Sequence, residues 1–379
     1  MINKLKLLKH ELIFLFILIS HIPLFIYFYS LNKNWGDKWL TADWLISYKF
    51  GIIRRGFFGN LIDVLNIETE KNLIFITLIL SFIYILIIFF TYILFKDYSQ
   101  NLISYFLLFS PQFLFFPVLD WRGAFRKEIF GILVYLLLII FKDRLIAKKF
   151  RTIFLIFYLI SILISEVNIL FLPFIYFIFY NHFPKNESNK YFKNYIFITF
   201  CYVLIVLINI SSFSQTTNKI CDDLIEEGYN NQICDGSISF LKLNIKETLK
   251  FAIDEFKITK LLIYSLFLII SLIPLFFDKY WISLNWKRVF LCFCFFIPYY
   301  LISIDWGRWN YIFISGLTFY YFTFENKFKI SINRKSILIF LFYISTWRVN
   351  HYNSKLIDLI KNISELNIFK VLSSLFELI

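Results

Sequence analysis

The feature that most constrains this chain is a series of apolar runs of near-membrane length, each ended by a short break that carries Lys or Arg. A helix needs about 20 apolar residues to cross the hydrocarbon core, with a lower limit near 17. Runs approaching that length cover roughly 12–29, 72–95, 101–118, 129–141, 152–180, 195–213, 258–277, 289–304, 311–324 and 337–349. The expected fold class is all-α: a polytopic transmembrane helix bundle of about 10–11 membrane segments with external polar loops. Residues 1–353 form that single bundle, with external loops at about 30–71 and 214–257. The piece 354–379 repeats Leu356, Ile360, Ile363, Ile368 and Leu372 near helical spacing, with Lys and Glu between them. That pattern predicts an amphipathic interfacial helix.

Composition agrees. The chain is 59% hydrophobic, above the ~45–50% of soluble domains. The formal charge of +13 would suggest nucleic acid on a soluble protein. Here the cations sit in the breaks between apolar runs, where they set orientation in a bilayer, so no nucleic-acid partner is expected. With 10 Gly in 379 residues, Gly-rich phosphate loops are not expected. The first run follows Lys4, Lys6 and Lys9 and lacks a small-residue cleavage site, so it reads as a retained span.

Orientation follows from Lys and Arg. The break 142–151 holds Lys142, Arg144, Lys148, Lys149 and Arg151 and is expected on the cytoplasmic side, as is the basic N-terminus. Counting along the chain makes 30–71 and 119–128 external. The run 152–180 is long for one helix and carries Glu166 and Asn168 at its middle, with Pro173 beyond. A carboxylate at mid-bilayer costs ~2.5–3.5 kcal/mol on insertion scales. Two limbs, about 152–164 and 168–180, turning at Glu166 avoid that cost. They also bring the ten basic residues of 181–194, 278–288 and 325–336 to the cytoplasmic side.

Under this topology the unusual polar motifs reach the external side. The first loop reads "NWGDKWLTADWLISYKFGIIRRGFFG" and holds Asp37, Asp43, Arg54 and Arg55. The 119–128 turn adds Asp120, Arg122, Arg126, Lys127 and Glu128, the limb junction adds Glu166, and "ISIDWGRWNYIF" adds Asp305 and Arg308. Trp and Tyr beside charges at span ends are ordinary interface anchors, and Asp305 and Arg308 at i, i+3 can pair with each other. Anchoring explains poorly why the cytoplasmic breaks are Lys-rich and plain while the external ones are rich in Arg, Asp, Trp and Gly. Arg is suited to forked recognition of phosphate or carboxylate, and Gly51, Gly56 and Gly59 permit close backbone approach. Cys221 and Cys234 share one polar loop and can pair if it faces an oxidising compartment. The four His are scattered, and neither metal-ligand spacing nor a P-loop, dinucleotide fingerprint or GxSxG is present, so no cofactor is expected.

External acids and arginines within a membrane bundle suit glycosyl transfer from a polyprenyl-linked donor. A carboxylate takes the acceptor proton, and arginines hold the carrier phosphate as leaving group. The layout, with a carboxylate-bearing loop directly after the first span, resembles GT-C-type membrane glycosyltransferases. The pieces "RRGFFG", "RGAFRKE", "SEVNILFLPF" and "DWGRW" are similar to multispanning proteins of bacterial surface-polysaccharide clusters, some of them Wzy-type polymerases. The resemblance implies a bacterial inner-membrane protein with a cytoplasmic N-terminus and a polyprenyl-linked glycan and membrane lipid as partners. It implies Asp43 or Asp37 as catalytic base, with Arg54, Arg55, Asp120, Arg122, Arg126, Lys127, Glu166, Asp305 and Arg308 lining the substrate site. A transporter or flippase of a lipid-linked glycan, or a non-catalytic assembly subunit, are the alternatives. A transporter should carry midplane polar sites and inverted repeats, and no repeat is visible by inspection.

Overall fold

The computed structural model describes residues 2–33, 35–96, 98, 101–324, 334–345 and 347–352. The expected amphipathic helix 354–379 lies outside the described residues, as does much of the basic break 325–336. Among the described residues every regular element is helical. Among those residues, four helices are long and apolar enough to cross a membrane: Glu11–Lys33, Thr69–Lys96, Lys185–Glu226 and Ile258–Phe276. Their apolar side chains also point outward. Leu78, Phe82, Ile85 and Phe89 form one exposed stripe at i, i+4, i+7 and i+11, and Phe197, Phe200, Leu204 and Ile208 form another. Contiguous apolar surface of this extent marks a face that meets lipid rather than water.

The chain divides into two compact units. One comprises Phe25–Leu86 and Phe125–Ile253. Its centre is the helix Ile129–Ile140, apolar on nearly all sides and buried along most of its length, as expected of a helix enclosed by protein. Phe58 and Phe130 close on Trp44, and Phe28 stacks on Phe125 at 4.1 Å. Gly131 lets the segment Glu166–Phe171 lie against this helix, because a Cβ there would meet the Asn168 amide.

The run 152–180 is broken where its carboxylate sits. Helix Lys148–Ile164 ends at Ser165, which is extended, and a 3-10 turn Glu166–Phe171 leads into helix Leu172–His182. Pro173 occupies the first turn of the second limb, where a missing N–H costs nothing. The second limb packs against the turn Lys142–Ile146, from which the first limb starts, and His182 feels the charges of Lys142 and Asp143. The run is therefore a hairpin of two short limbs with Glu166 at its turn.

The other unit comprises Met1–Leu24, Ile87–Ala124 and Asp254–Ile379. Its centre is the helix Trp306–Tyr321, all of whose residues are buried. Tyr311 stacks on Phe116 at 4.6 Å, and Phe313 packs edge-on against Phe296. The run 101–118 is not one span. It forms helix Leu102–Leu108, a series of turns, and a short helix Phe116–Leu119. Pro111 explains the break, since it lacks an N–H and disfavours helical geometry at Ser110. Conversely, much of the basic breaks 181–194 and 278–288 is helical, within Lys185–Asn209 and Lys279–Ile302.

Candidate functional site

In the first unit the loop after the first span is built around one guanidinium. Asp37 shapes the turn ahead of the short helix Thr41–Leu45: its Oδ1 accepts from the backbone N–H of Trp39 and Leu40, both at 2.8 Å. Thr41 Oγ1 accepts from the Asp37 N–H and donates to Asn32, which in turn donates to Thr77. This ladder fixes Asp43, two residues on and 2% exposed. Beyond it the chain must double back. Arg55 sits at φ +66°, in the left-handed region that a side chain seldom occupies. The Lys127 ammonium donates to the Arg55 carbonyl at 2.6 Å and holds that conformation. At Gly59 a Cβ would run into the Ile46 carbonyl, and at Gly56 into the Tyr48 ring, so "IIRRGFFG" requires glycine at both places.

The Arg55 side chain then spans two carboxylates. Its Nε and Nη2 fork onto Glu166 at 2.7–2.9 Å, and its Nη1 lies 3.5 Å from Asp43 Oδ1. Arg54 approaches Glu166 more loosely, at 3.7 Å. Arg126 donates to the Trp39 carbonyl at 2.8 Å. Four cations (Arg54, Arg55, Arg126, Lys127) and three carboxylates (Asp43, Glu128, Glu166) thus act on one another. Burial pushes the Asp43 carboxyl up, but the charges of Lys127, Arg55 and Arg126 outweigh it and hold it below the usual carboxylate range. Burial pulls the Lys127 ammonium down to about 8 against the attraction of Asp43.

Three buried polar atoms here have no hydrogen-bond partner among the described residues: Asp43 Oδ1, Arg54 Nε and the Tyr202 hydroxyl. Tyr202 lies on helix Lys185–Asn209, within electrostatic reach of Glu166, Tyr48, Arg55 and Arg54. The same unit carries a disulfide between Cys221 and Cys234. Lys49 ties the Arg54–Arg55 loop to that segment through Asp223 at 2.6 Å.

The second unit holds the remaining expected residues. Asp305 and Arg308 pair with each other at 3.1 Å, and the Arg308 guanidinium lies over the Trp309 ring at 4.7 Å. Asp120 Oδ2 accepts from the His351 backbone N–H and lies 2.7 Å from His351 Nδ1, while Oδ1 accepts from the Gly123 N–H at 3.2 Å. Gly307 donates to the His351 carbonyl at 3.2 Å, and a Cβ on Gly307 would meet the Asn350 carbonyl. Arg122 is exposed, 5.0 Å from the Trp121 ring.

The expected residues therefore fall into two groups: Asp37, Asp43, Arg54, Arg55, Arg126, Lys127 and Glu166 in one unit, and Asp120, Arg122, Asp305 and Arg308 in the other. Sequence reasoning missed Tyr202, whose only trace was a hydroxyl-bearing ring inside an apolar run, and His351, a lone His just past one. Among the described residues no group of His, Cys, Asp or Glu is arranged to hold a metal ion. Comparison with protein-family models, curated proteins and solved structures gives no match. The fold and its outward apolar faces define an all-α membrane protein.

Proposed function

We propose that this chain is an integral-membrane glycosyltransferase or polysaccharide polymerase that uses a polyprenyl-phosphate-linked sugar donor at the external face. The observation that carries the reading is the cluster around Arg55. It joins a buried carboxylate whose Oδ1 has no hydrogen-bond partner among the described residues, Asp43, to a group in which four cations, three of them guanidiniums, face three carboxylates. Arginine suits the phosphate because its planar fork matches phosphate oxygens. In the reaction, Asp43 accepts the proton of an acceptor hydroxyl as that oxygen bonds to the anomeric carbon. The bond from that carbon to the carrier phosphate breaks, and the phosphate leaves with the electron pair, stabilised by the guanidiniums. Asp37 is the less suited base, because one of its oxygens already accepts from two backbone N–H groups. The external assignment draws support from the Cys221–Cys234 disulfide, since disulfides persist in oxidising compartments, and Lys49–Asp223 joins that segment to the Arg54–Arg55 loop.

Membranes carrying the protein are supplied with a polyprenyl-phosphate-linked sugar and an acceptor glycan. Asp43→Asn is expected to abolish donor consumption while leaving the amount of membrane-embedded protein unchanged. Full turnover by that variant rejects Asp43 as the base. A transporter would instead show donor crossing the bilayer unconsumed in wild type.

A further inference from the structure

Arg55 is spent as a strut. Its fork satisfies both oxygens of Glu166, its remaining nitrogen faces Asp43, and its carbonyl is held by Lys127. Glu166 therefore has little acceptor capacity left for Arg54, whose approach at 3.7 Å is too long for a hydrogen bond. Two donors remain beside this saturated pair: Arg54 Nε–H and the Tyr202 hydroxyl. Tyr202 is 6% exposed, yet a buried tyrosine hydroxyl ordinarily finds a partner. In the same unit Tyr158 does so, meeting Thr199 Oγ1 at 2.8 Å. The Tyr195 hydroxyl is also unpartnered, but it is packed among the Tyr158 and Phe179 rings rather than facing charges. Tyr202 alone of these sits among Arg54, Arg55, Glu166 and Tyr48. Arg54 Nε and the Tyr202 hydroxyl are buried, but the Arg54 side chain is 28% exposed, so a ligand would reach them from the exposed side of Arg54.

An anion with several acceptor oxygens fits two neighbouring donors of this kind, one of them charged. We infer that Tyr202 and Arg54 together grip the phosphate of a bound polyprenyl phosphate, with Arg55 as the fixed strut that positions Arg54. The inference rests on the lipid-carrier reading above for the identity of the ligand. It adds a residue from a membrane-spanning helix to a site otherwise made of loop and hairpin-turn residues. That placement suits a ligand whose tail lies in the bilayer and whose phosphate lies at its surface.

The test uses the full chain in nanodiscs, with polyprenyl monophosphate and, in a separate arm, inorganic phosphate as probes. Tyr202→Phe removes one oxygen that bonds nothing, so the variant should fold with unchanged or slightly raised Tm. Loss of one hydrogen bond to a charged group should weaken polyprenyl phosphate binding by about tenfold, and Arg54→Gln by more. Tyr195→Phe should bind as wild type. Wild-type binding by Tyr202→Phe, with Arg54→Gln weakened, overturns the inference and leaves the carrier reading standing. Wild-type binding by every variant removes both. Saturation by inorganic phosphate at the same concentrations as the lipid would show a free-anion site and overturn the lipid assignment.

Discussion

The two polar groups of this protein use the same residue types to different ends. Around Asp120 and Asp305 each carboxylate meets a partner from its own unit: Asp305 meets Arg308, and Asp120 meets His351 and the Gly123 N–H. These contacts hold the segment Trp347–Tyr352 against the start of the helix Trp306–Tyr321, with Gly307 donating to the His351 carbonyl. Around Arg55 the pairing is incomplete. A strained residue and two glycines bring the charges together, yet Asp43 Oδ1, Arg54 Nε and the Tyr202 hydroxyl are left unmet. Buried polar groups normally find partners, because leaving one unmet costs about 1–3 kcal/mol. A group whose carboxylates are all matched holds a fold together, even with the Trp309 and Trp347 indole N–H unmet among the described residues, whereas a carboxylate oxygen and a guanidinium N–H left unmet at a strained loop are the mark of a site that waits for a ligand.

The largest expected effect tests whether the Arg55 cluster also holds its unit together. Glu166→Gln removes the carboxylate that accepts the Arg55 fork and leaves two partly buried guanidiniums, Arg54 and Arg55, short of a countercharge. Breaking one side of a fully buried pair costs about 3–5 kcal/mol; with these side chains 20% and 18% exposed the loss falls below that, and thermal unfolding in detergent should still show a clear drop in Tm. Asp305→Asn should cost less, since that pair is a single i, i+3 contact rather than a fork and the amide oxygen of Asn can still accept from Arg308. Equal losses in the two variants would erase the distinction between the groups.

Next in size is the clip on the Trp347–Tyr352 segment. His351→Ala removes the side-chain contact to Asp120 and leaves its buried Oδ2 with the His351 backbone N–H alone, at a cost of about 1 kcal/mol. His351→Asn places an amide N–H near the position of Nδ1 and should recover most of that loss. Tryptophan fluorescence would follow the segment, because Trp347 stacks on Phe267 in the same unit. If Asn and Ala destabilise alike, the imidazole matters for something other than its Nδ1 contact, and the closed character assigned to this group falls.

How much of this was readable beforehand depends on distance along the chain. The helices followed from apolar runs, because lipid imposes a length and a composition on any span. The break at Glu166 was legible because a carboxylate inside a long apolar run is expensive enough to announce a turn. Asp43 with Arg54 and Arg55 was legible as one group because a single loop carries all three. The turn-forming role of Asp37 was not anticipated, although Asp often hydrogen-bonds the backbone two residues on. The Asp120–His351 contact joins residues 231 positions apart, and Tyr202 meets the cluster only through helix packing. No local pattern encodes either. The single span expected over 101–118 failed because hydropathy outweighed Pro111 in that reading.

The smallest effect concerns Lys127, and it sharpens the comparison because a closed group should not show it. Lys127 is fully buried in the 119–128 break, and its ammonium is drawn down to about 8 by that burial. Asp43, Arg55, Glu166 and Glu128 face it. Below about pH 8 the amine is charged and the cluster carries one cation more than its carboxylates; above that pH the excess is gone. Binding of polyprenyl phosphate should therefore weaken by a few-fold as pH rises through 8, and Lys127→Gln should remove that limb of the profile. Stability moves the other way. The unfolded chain keeps its lysine proton up to about 10.4, so between about pH 8 and that value the unfolded state holds more protons and the native state gains as pH rises. The gain is blunted because Asp43 then faces one cation fewer. A binding profile that falls while Tm holds or rises over the same interval would tie the pH dependence to ligand recognition. Binding and Tm falling together would instead make Lys127 a structural pin for the Arg55 backbone.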